Sequence, residues 1–204
     1  MQDLLTPVDR QAIALPDADM TLWPQTDLGI PTEELLDHLI ETIPWRQDSI
    51  TLYGKSHPQP RLSAWYGDLA YRYSGLTLQP LPWTSQLLEI KDQVEQLTGH
   101  EFNSVLLNYY RDQNDSMGMH SDDEKELGQE PAIASLSLGE ERVFCLKHKT
   151  RRDLQTFKLP LPDSSLLLMR GPTQRHWRHG INKSKRFLGP RINLTFRYIL
   201  LEPD

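Results

Sequence analysis

The sequence predicts a mainly β protein with flanking helices, a sandwich or jelly roll, on three observations. From Glu101 onward the chain breaks into short apolar runs separated by polar turns, which is the pattern of many short strands and not of a parallel α/β sheet. Two upstream stretches carry apolar residues at helical spacing. The last β run, Arg191-Ile192-Asn193-Leu194-Thr195-Phe196-Arg197, alternates polar and apolar residues strictly, so one face of a strand is greasy and the other polar.

The elements follow in order. Residues 1–30 are acidic, contain proline and lack periodicity, and read as an extended or loosely packed arm. A first helix opens at Thr32, expected as its cap. Glu33 and Glu34 suit its positive end, and Leu35, Leu36, Leu39, Ile40 and Ile43 share a face until Pro44 stops it. Residues 45–82 alternate short β-like pieces with turns. A second helix, about Thr84 to Leu97, places Leu87, Leu88, Ile90, Val94 and Leu97 on one face and ends before Gly99. The strands expected beyond it are Ser104–Tyr110, Ala132–Leu138, Arg142–Lys147, Gln155–Leu161, Ser165–Met169, Trp177–Ile181 and Arg191–Leu200. One structural domain is expected, in three stretches: 1–45, 46–100 and 101–204.

At 204 residues and 38% hydrophobic content the chain can build a real core. A single cysteine, Cys145, rules out an intramolecular disulfide and a thiolate zinc site, which suits a reducing compartment. The N-terminus has no secretory pattern and no stretch approaches 18 apolar residues, so a cytoplasmic protein, or a nuclear one in a eukaryote, is expected, with no membrane partner. A monomer is expected, since no heptad repeat is present. Net charge is −6, yet residues 151–204 hold 11 Lys and Arg against 4 Asp and Glu. Basic runs at Lys147 to Arg152 and Asn182 to Arg186 could track a phosphate backbone.

The chemistry lies in a few side chains. His120 and Asp122 are two apart on an extended segment, where both project to one side. A further histidine from another strand would complete the two-histidine, one-carboxylate set that holds non-haem Fe(II) with open positions, and His148, His176 and His179 are the candidates. Such an iron usually takes 2-oxoglutarate, whose far carboxylate an arginine fork would clamp. Arg191 is the first candidate and Arg197 the second.

Leu107-Asn108-Tyr109-Tyr110, His120-Ser121-Asp122-Asp123-Glu124, Pro131 to Ser135, Trp177-Arg178-His179 and Pro190 to Arg197 together resemble the AlkB-type Fe(II)/2-oxoglutarate dioxygenases, the nucleic-acid demethylases, over roughly residues 49 to 200. The likeness is strongest to the homologue that repairs alkylated bases in double-stranded DNA. The resemblance implies a double-stranded β-helix, with residues 46–100 as a nucleotide-recognition lid and its support. It implies that His120, Asp122 and His179 bind Fe(II), and that Asn108, Tyr110, Arg191, Asn193, Thr195 and Arg197 contact 2-oxoglutarate. Arg191 would take the distal carboxylate, with O2 as the other co-substrate. Tyr71 and Tyr73 in Tyr71-Arg72-Tyr73-Ser74-Gly75-Leu76 would flank the damaged base, and Asp123 and Glu124 would read its edge. Arg61 is a candidate phosphate contact. At the finger Ser49 to Lys55 this chain has Tyr53 where the relative wedges a phenylalanine into the duplex, and a tyrosine ring can equally fill the gap left by a flipped base.

The activity so implied is oxidative demethylation of bases such as 1-methyladenine or 3-methylcytosine in alkylated DNA, coupled to 2-oxoglutarate decarboxylation. Two alternatives stay open. One keeps the chemistry but acts on RNA or on protein side chains. The other is a non-catalytic jelly-roll binding module, although a closed structural metal site would have no use for an anion clamp.

Overall fold

The computed structural model describes residues 9–52, 55–69, 71–73 and 76–200. In chain order the strands are β1 (Gln11–Ala12), β2 (Asp19–Trp23), β3 (Ser49–Leu52), β4 (Lys55–Pro58), β5 (Leu62–Gly67), β6 (Tyr71–Tyr73), β7 (Leu76–Leu78), β8 (Ser104–Tyr110), β9 (Met117–His120), β10 (Ile133–Gly139), β11 (Arg142–His148), β12 (Phe157–Leu161), β13 (Leu166–Arg170), β14 (Trp177–Ile181) and β15 (Arg191–Arg197). The helices are α1 (Thr32–Thr42), α2 (Ser85–Thr98) and the short α3 (Thr173–His176).

A large antiparallel sheet runs β1-β2-β13-β10-β15-β8-β5, and a small one runs β12-β11-β14-β9. From β8 onward the chain passes back and forth between them, and only the β11–β12 hairpin stays within one. This is a jelly roll. Apolar residues from both sheets fill the space between, among them Leu106, Leu167 and Met169 from the large sheet and Phe144, Leu146 and Ile181 from the small. A second apolar layer lies on the other side of the large sheet, where Leu35 and Leu39 of α1 and Leu87, Ile90 and Val94 of α2 meet Val105, Leu136 and Leu166.

β15 decides how these layers divide. Its apolar residues Ile192, Leu194 and Phe196 join the helix-side layer, each fully buried. Its polar residues therefore face into the roll and away from bulk water. Burying three large apolar side chains contributes about 1.5–3 kcal/mol each, and a one-residue slip would drive both arginines against the helices, so the register is firmly set.

Several elements differ from the sequence expectation. Within the described part of the arm, the extended segment is packed and not loose: β2 pairs along β13 from Leu166↔Trp23 to Arg170↔Asp19, and Met20, Leu22 and Trp23 are buried. The polar residues between them hid a strand whose partner lies more than a hundred residues away. Pro31, not Thr32, occupies the cap position of α1 and makes no side-chain cap bond. The Thr32 hydroxyl donates instead to the Asp163 carboxylate. Leu88 on α2 is 41% exposed, off the buried face. Thr84 caps α2 by accepting from the Leu87 N–H at 3.2 Å, and Gly99 closes it with φ of 71°, a left-handed conformation that suits glycine. The extended segment expected at His120 and Asp122 is strand only as far as His120, where β9 ends, and β15 stops at Arg197, three residues short of Leu200. No described helix is long and apolar enough to cross a membrane.

Candidate metal and co-substrate site

The small sheet brings the first two candidate ligands together. β9 pairs antiparallel with β14, with His120 opposite His179, and their rings meet edge to face with centroids 4.5 Å apart. The pairing is irregular between His179 and Ile181, and Gly180 lies there. A Cβ on Gly180 would stand 2.7 Å from the Met117 carbonyl, so only glycine lets the two strands approach this closely. Asp122 follows just beyond the end of β9. The donor atoms of His120, Asp122 and His179 all lie within 4.8 Å of one another.

Hydrogen bonds and charge prepare these groups. His120 Nδ1 is 2.9 Å from the Gly118 carbonyl, which only accepts, so Nδ1 donates there and Nε2 is the candidate ligand atom. Burial would raise the Asp122 carboxyl, but the Arg197 guanidinium at 2.7 Å, with His179 and His120 nearby, holds it well below the usual carboxylate range. Burial and the neighbouring His120 push the His179 imidazole down to about 3, against the pull of Asp122. The pair therefore presents an ionised carboxylate and a neutral imidazole at neutral pH, the forms in which a metal is bound. Buried His179 Nδ1 makes no hydrogen bond, and Phe144 stacks on the ring at 5.0 Å. A neutral imidazole with one unpartnered nitrogen, an ionised carboxylate 3.5 Å from its Nε2 and a second histidine against its ring fit a divalent iron.

Sequence reasoning missed Gln174. It is 1% exposed on α3, and its Oε1 accepts from the Asp122 N–H at 3.0 Å while lying 3.0 Å from His179 Nε2. One carboxamide oxygen thus orients two candidate ligands. No periodicity marks it, because α3 is a single turn; only its place five residues before His179 hints at a role. Gln174→Leu is expected to weaken Mn(II) or Fe(II) binding about 10- to 100-fold, measured by metal titration of the otherwise folded protein. Unchanged metal affinity would reduce Gln174 to a packing residue.

The rest of the site is written on β15. Asn193 donates to Ser135 Oγ at 2.7 Å and to the Leu136 carbonyl at 3.0 Å, and Thr195 donates to Asn193 Oδ1 at 3.0 Å. Arg191, 1% exposed, donates from Nη2 to Ser137 Oγ at 2.9 Å and packs its guanidinium over the Tyr110 ring at 5.2 Å. Its Nε and Nη1 are buried and make no hydrogen bond. Burial pulls this guanidinium down to about 10, so it stays charged at neutral pH. A buried cation with two idle donors lacks an anion, and a carboxylate matches that fork. Arg191, Asn193, Thr195 and Arg197 line one cavity together with Tyr110, His120, Asp122 and His179.

A sequence profile of the 2OG-Fe(II) oxygenase superfamily matches residues 31–197, which covers every element of this site. The chain belongs to that superfamily. It is 42% identical over 177 residues to the alpha-ketoglutarate-dependent dioxygenase alkB homolog 3 of Mus musculus, covering 83% of this chain and 62% of the relative. It is 46% identical over 160 residues to the DNA oxidative demethylase ALKBH2 of Homo sapiens, covering 74% of this chain and 61% of the relative. The chain thus spans about three-fifths of the length of these curated relatives. A solved structure described as that of OsALKBH1 superposes with a TM-score of 0.60 at 16% identity, covering 92% of this chain and 100% of its own, which shows the shared oxygenase fold.

Within this oxygenase fold other sequence candidates sit differently. Arg61 is buried, and its Nε donates to Asn108 Oδ1 at 2.7 Å, so it braces a strand pair and is not a surface phosphate contact. Asn108 stands opposite Asn193 on β8, outside the residues that line the cavity. Arg197 has its counter-charge in Asp122 at 2.7 Å, whereas Arg191 makes no ion pair among the described residues, so Arg191 is the candidate clamp. Asp123 is engaged by Lys149 at 2.9 Å, and Glu124 is half-buried beside it. Tyr71 and Tyr73 lie on β6, paired with β7, and their side chains fall outside the described residues, as does Tyr53 altogether.

His148 and His176 form a second group with Asp17, with donor atoms again within 4.8 Å. His148 Nδ1 accepts from the N–H groups of Thr150 at 3.3 Å and Arg151 at 2.9 Å, so its proton is on Nε2, facing Asp17 at 3.3 Å. A metal-bound histidine has the reverse arrangement, donating through its other nitrogen. This group is a latch between the arm and β11, and the arm is also tied to β14 by Trp177 Nε1 donating to the Pro16 carbonyl at 2.9 Å.

Proposed function

We propose that this chain is an Fe(II)- and 2-oxoglutarate-dependent dioxygenase that removes N-methyl groups from alkylated bases in DNA. The observation that carries the reading is the buried, half-satisfied Arg191 guanidinium in the same cavity as the His120, Asp122 and His179 cluster. An anion clamp beside an open divalent-metal site serves a bidentate co-substrate, and a structural metal has no need of one. Names of the relatives point the same way: one is a dioxygenase dependent on alpha-ketoglutarate, the other a DNA oxidative demethylase.

His120, Asp122 and His179 would hold Fe(II), and Arg191 the far carboxylate of 2-oxoglutarate. Bound there, the metal and co-substrate supply an oxidation by O2 that hydroxylates an N-methyl group, yielding succinate, CO2 and, from the unstable product, formaldehyde. The chain's own residues orient and shield. Tyr110 covers Arg191, Phe144 covers His179, and both exclude water from charges that would otherwise be screened. Tyr71 and Tyr73 are assigned to the faces of a flipped base such as 1-methyladenine or 3-methylcytosine, and Tyr53 to the gap it leaves. Asp123 and Glu124 are assigned to the edge of a cationic base, and Asp123 must give up Lys149 to reach it.

The test is anaerobically iron-loaded protein with 2-oxoglutarate, ascorbate, and matched single- and double-stranded oligonucleotides carrying one 1-methyladenine, with loss of the methyl followed by mass. Repair that requires 2-oxoglutarate supports the reading, and the strand ratio reports on Tyr53. Succinate formed without repair would move the substrate to RNA or protein. Neither product would leave a binding module.

A further inference from the structure

The loop between β14 and β15, residues 182–190, carries a feature that the cavity does not use. Phe187 is 81% exposed, while the next residue, Leu188, is buried. A lone exposed apolar side chain is ordinary on a protein surface, so its setting must decide.

Three facts of that setting bear on it. First, the loop is anchored on both sides of Phe187. Before it, Ser184 N–H donates to the Gln113 carbonyl at 3.0 Å, and after it Leu188 N–H donates to Gln113 Oε1 at 3.3 Å and Gly189 N–H to Glu140 at 3.2 Å. Phe187 is thus held outward by a fixed backbone. Second, Lys183, Lys185 and Arg186 beside it are exposed, and none makes an ion pair among the described residues of an otherwise acidic chain. Some basic side chains elsewhere are engaged, Lys149 with Asp123, Arg151 with Asp153 and Arg175 with Glu130, while Lys147, Arg152, Lys158 and Arg178 make no ion pair among the described residues either; what sets the loop apart is the exposed aromatic ring among its cations. Third, the loop springs from the walls of the cavity, with Gly180 and Ile181 at one root and Arg191 at the other.

We propose that this loop is a strand-binding element in which Phe187 stacks on a nucleobase outside the cavity while Lys183, Lys185 and Arg186 meet the flanking phosphates. An aromatic face set among cations is how proteins hold nucleic-acid strands without reading sequence. The inference rests on the proposed nucleic-acid substrate and adds a contact remote from the reacting base.

The experiment compares wild type, Phe187→Ala, Phe187→Leu and Phe187→Trp, all metal-loaded, for binding to a labelled unmodified single-stranded oligonucleotide at two salt concentrations. Ala and Leu are expected to weaken binding about fivefold or more, with Trp retaining it, because stacking requires a ring. The salt slope should stay as in wild type for Phe187→Ala and fall for Lys185→Ala. The KM for 2-oxoglutarate should not move in any of them. Wild-type affinity in the Ala and Leu variants of an enzyme that still repairs would overturn this inference alone. Loss of binding to anionic phospholipid vesicles, with oligonucleotide binding intact, would overturn it in favour of a lipid surface. A wild type that neither binds nor repairs nucleic acid would overturn both this inference and the function it rests on.

Discussion

Replacing His120 with Ala is expected to remove bound Fe(II) and lower turnover by at least about a thousandfold while leaving thermal stability close to wild type; the same change at Asp122 should cost both. The difference lies in what each side chain does before any metal arrives. His120 is half-buried at the end of β9, and its bond to Gly118 is local. Asp122 is 1% exposed and is the counter-charge of Arg197, itself 2% exposed. Removing one member of a buried ion pair strands the other, at a cost on the order of 3–5 kcal/mol. Iron content, succinate formation and unfolding midpoints measured on the two variants separate the roles. Equal stability in both would mean that Arg197 finds another partner, and iron-independent turnover in either would remove the metal assignment.

Arg191→Met should divide affinity from stability in the opposite sense. Loss of the clamp is expected to weaken 2-oxoglutarate binding on the order of a hundredfold or more, since truncating a buried charge pair costs several kcal/mol. The ligand-free variant should be no less stable than wild type, and by about 1 kcal/mol more stable if the side chain packs well. In wild type, two guanidinium nitrogens are buried without hydrogen bonds, and the thioether has nothing to leave unsatisfied. Calorimetric titration with 2-oxoglutarate, alongside unfolding with and without it, checks both halves. A variant that bound 2-oxoglutarate like wild type would end the clamp role. One that lost stability without ligand would show that Arg191 is a structural cation.

The parts of this protein that sequence made legible are those with local chemistry. Thr84 and Gly99 mark the ends of α2 because a hydroxyl and a left-handed glycine act within one turn. The β15 alternation disclosed a polar face, and the pairing of Arg191, Asn193 and Thr195 with small residues of β10 explains how that face fits inside a roll. His120 and Asp122 were legible as a pair, but the spacing left three histidines open for the third ligand. Only the β9–β14 pairing, and the backbone N–H groups that occupy His148, separate them physically. Gln174 and Arg61 were misjudged or missed for one reason: an amide or a guanidinium gives no hint in sequence of whether it faces a partner or water. The same holds for β2, whose apolar residues acquire meaning only beside β13.

That last pairing also settles how the large sheet ends. Without β2, the strand Leu166–Arg170 would present its unpaired N–H and C=O groups, on an almost wholly apolar segment, to any passing chain. With β2 in place, the sheet ends among the described residues on β1, only two residues long and exposed at both. The N-terminal segment is in this sense a seal against self-association. A chain trimmed to begin at Pro24 keeps every residue of the cavity, yet it is expected to elute from gel filtration as aggregate, while one that retains Gln11 onward elutes as a discrete species.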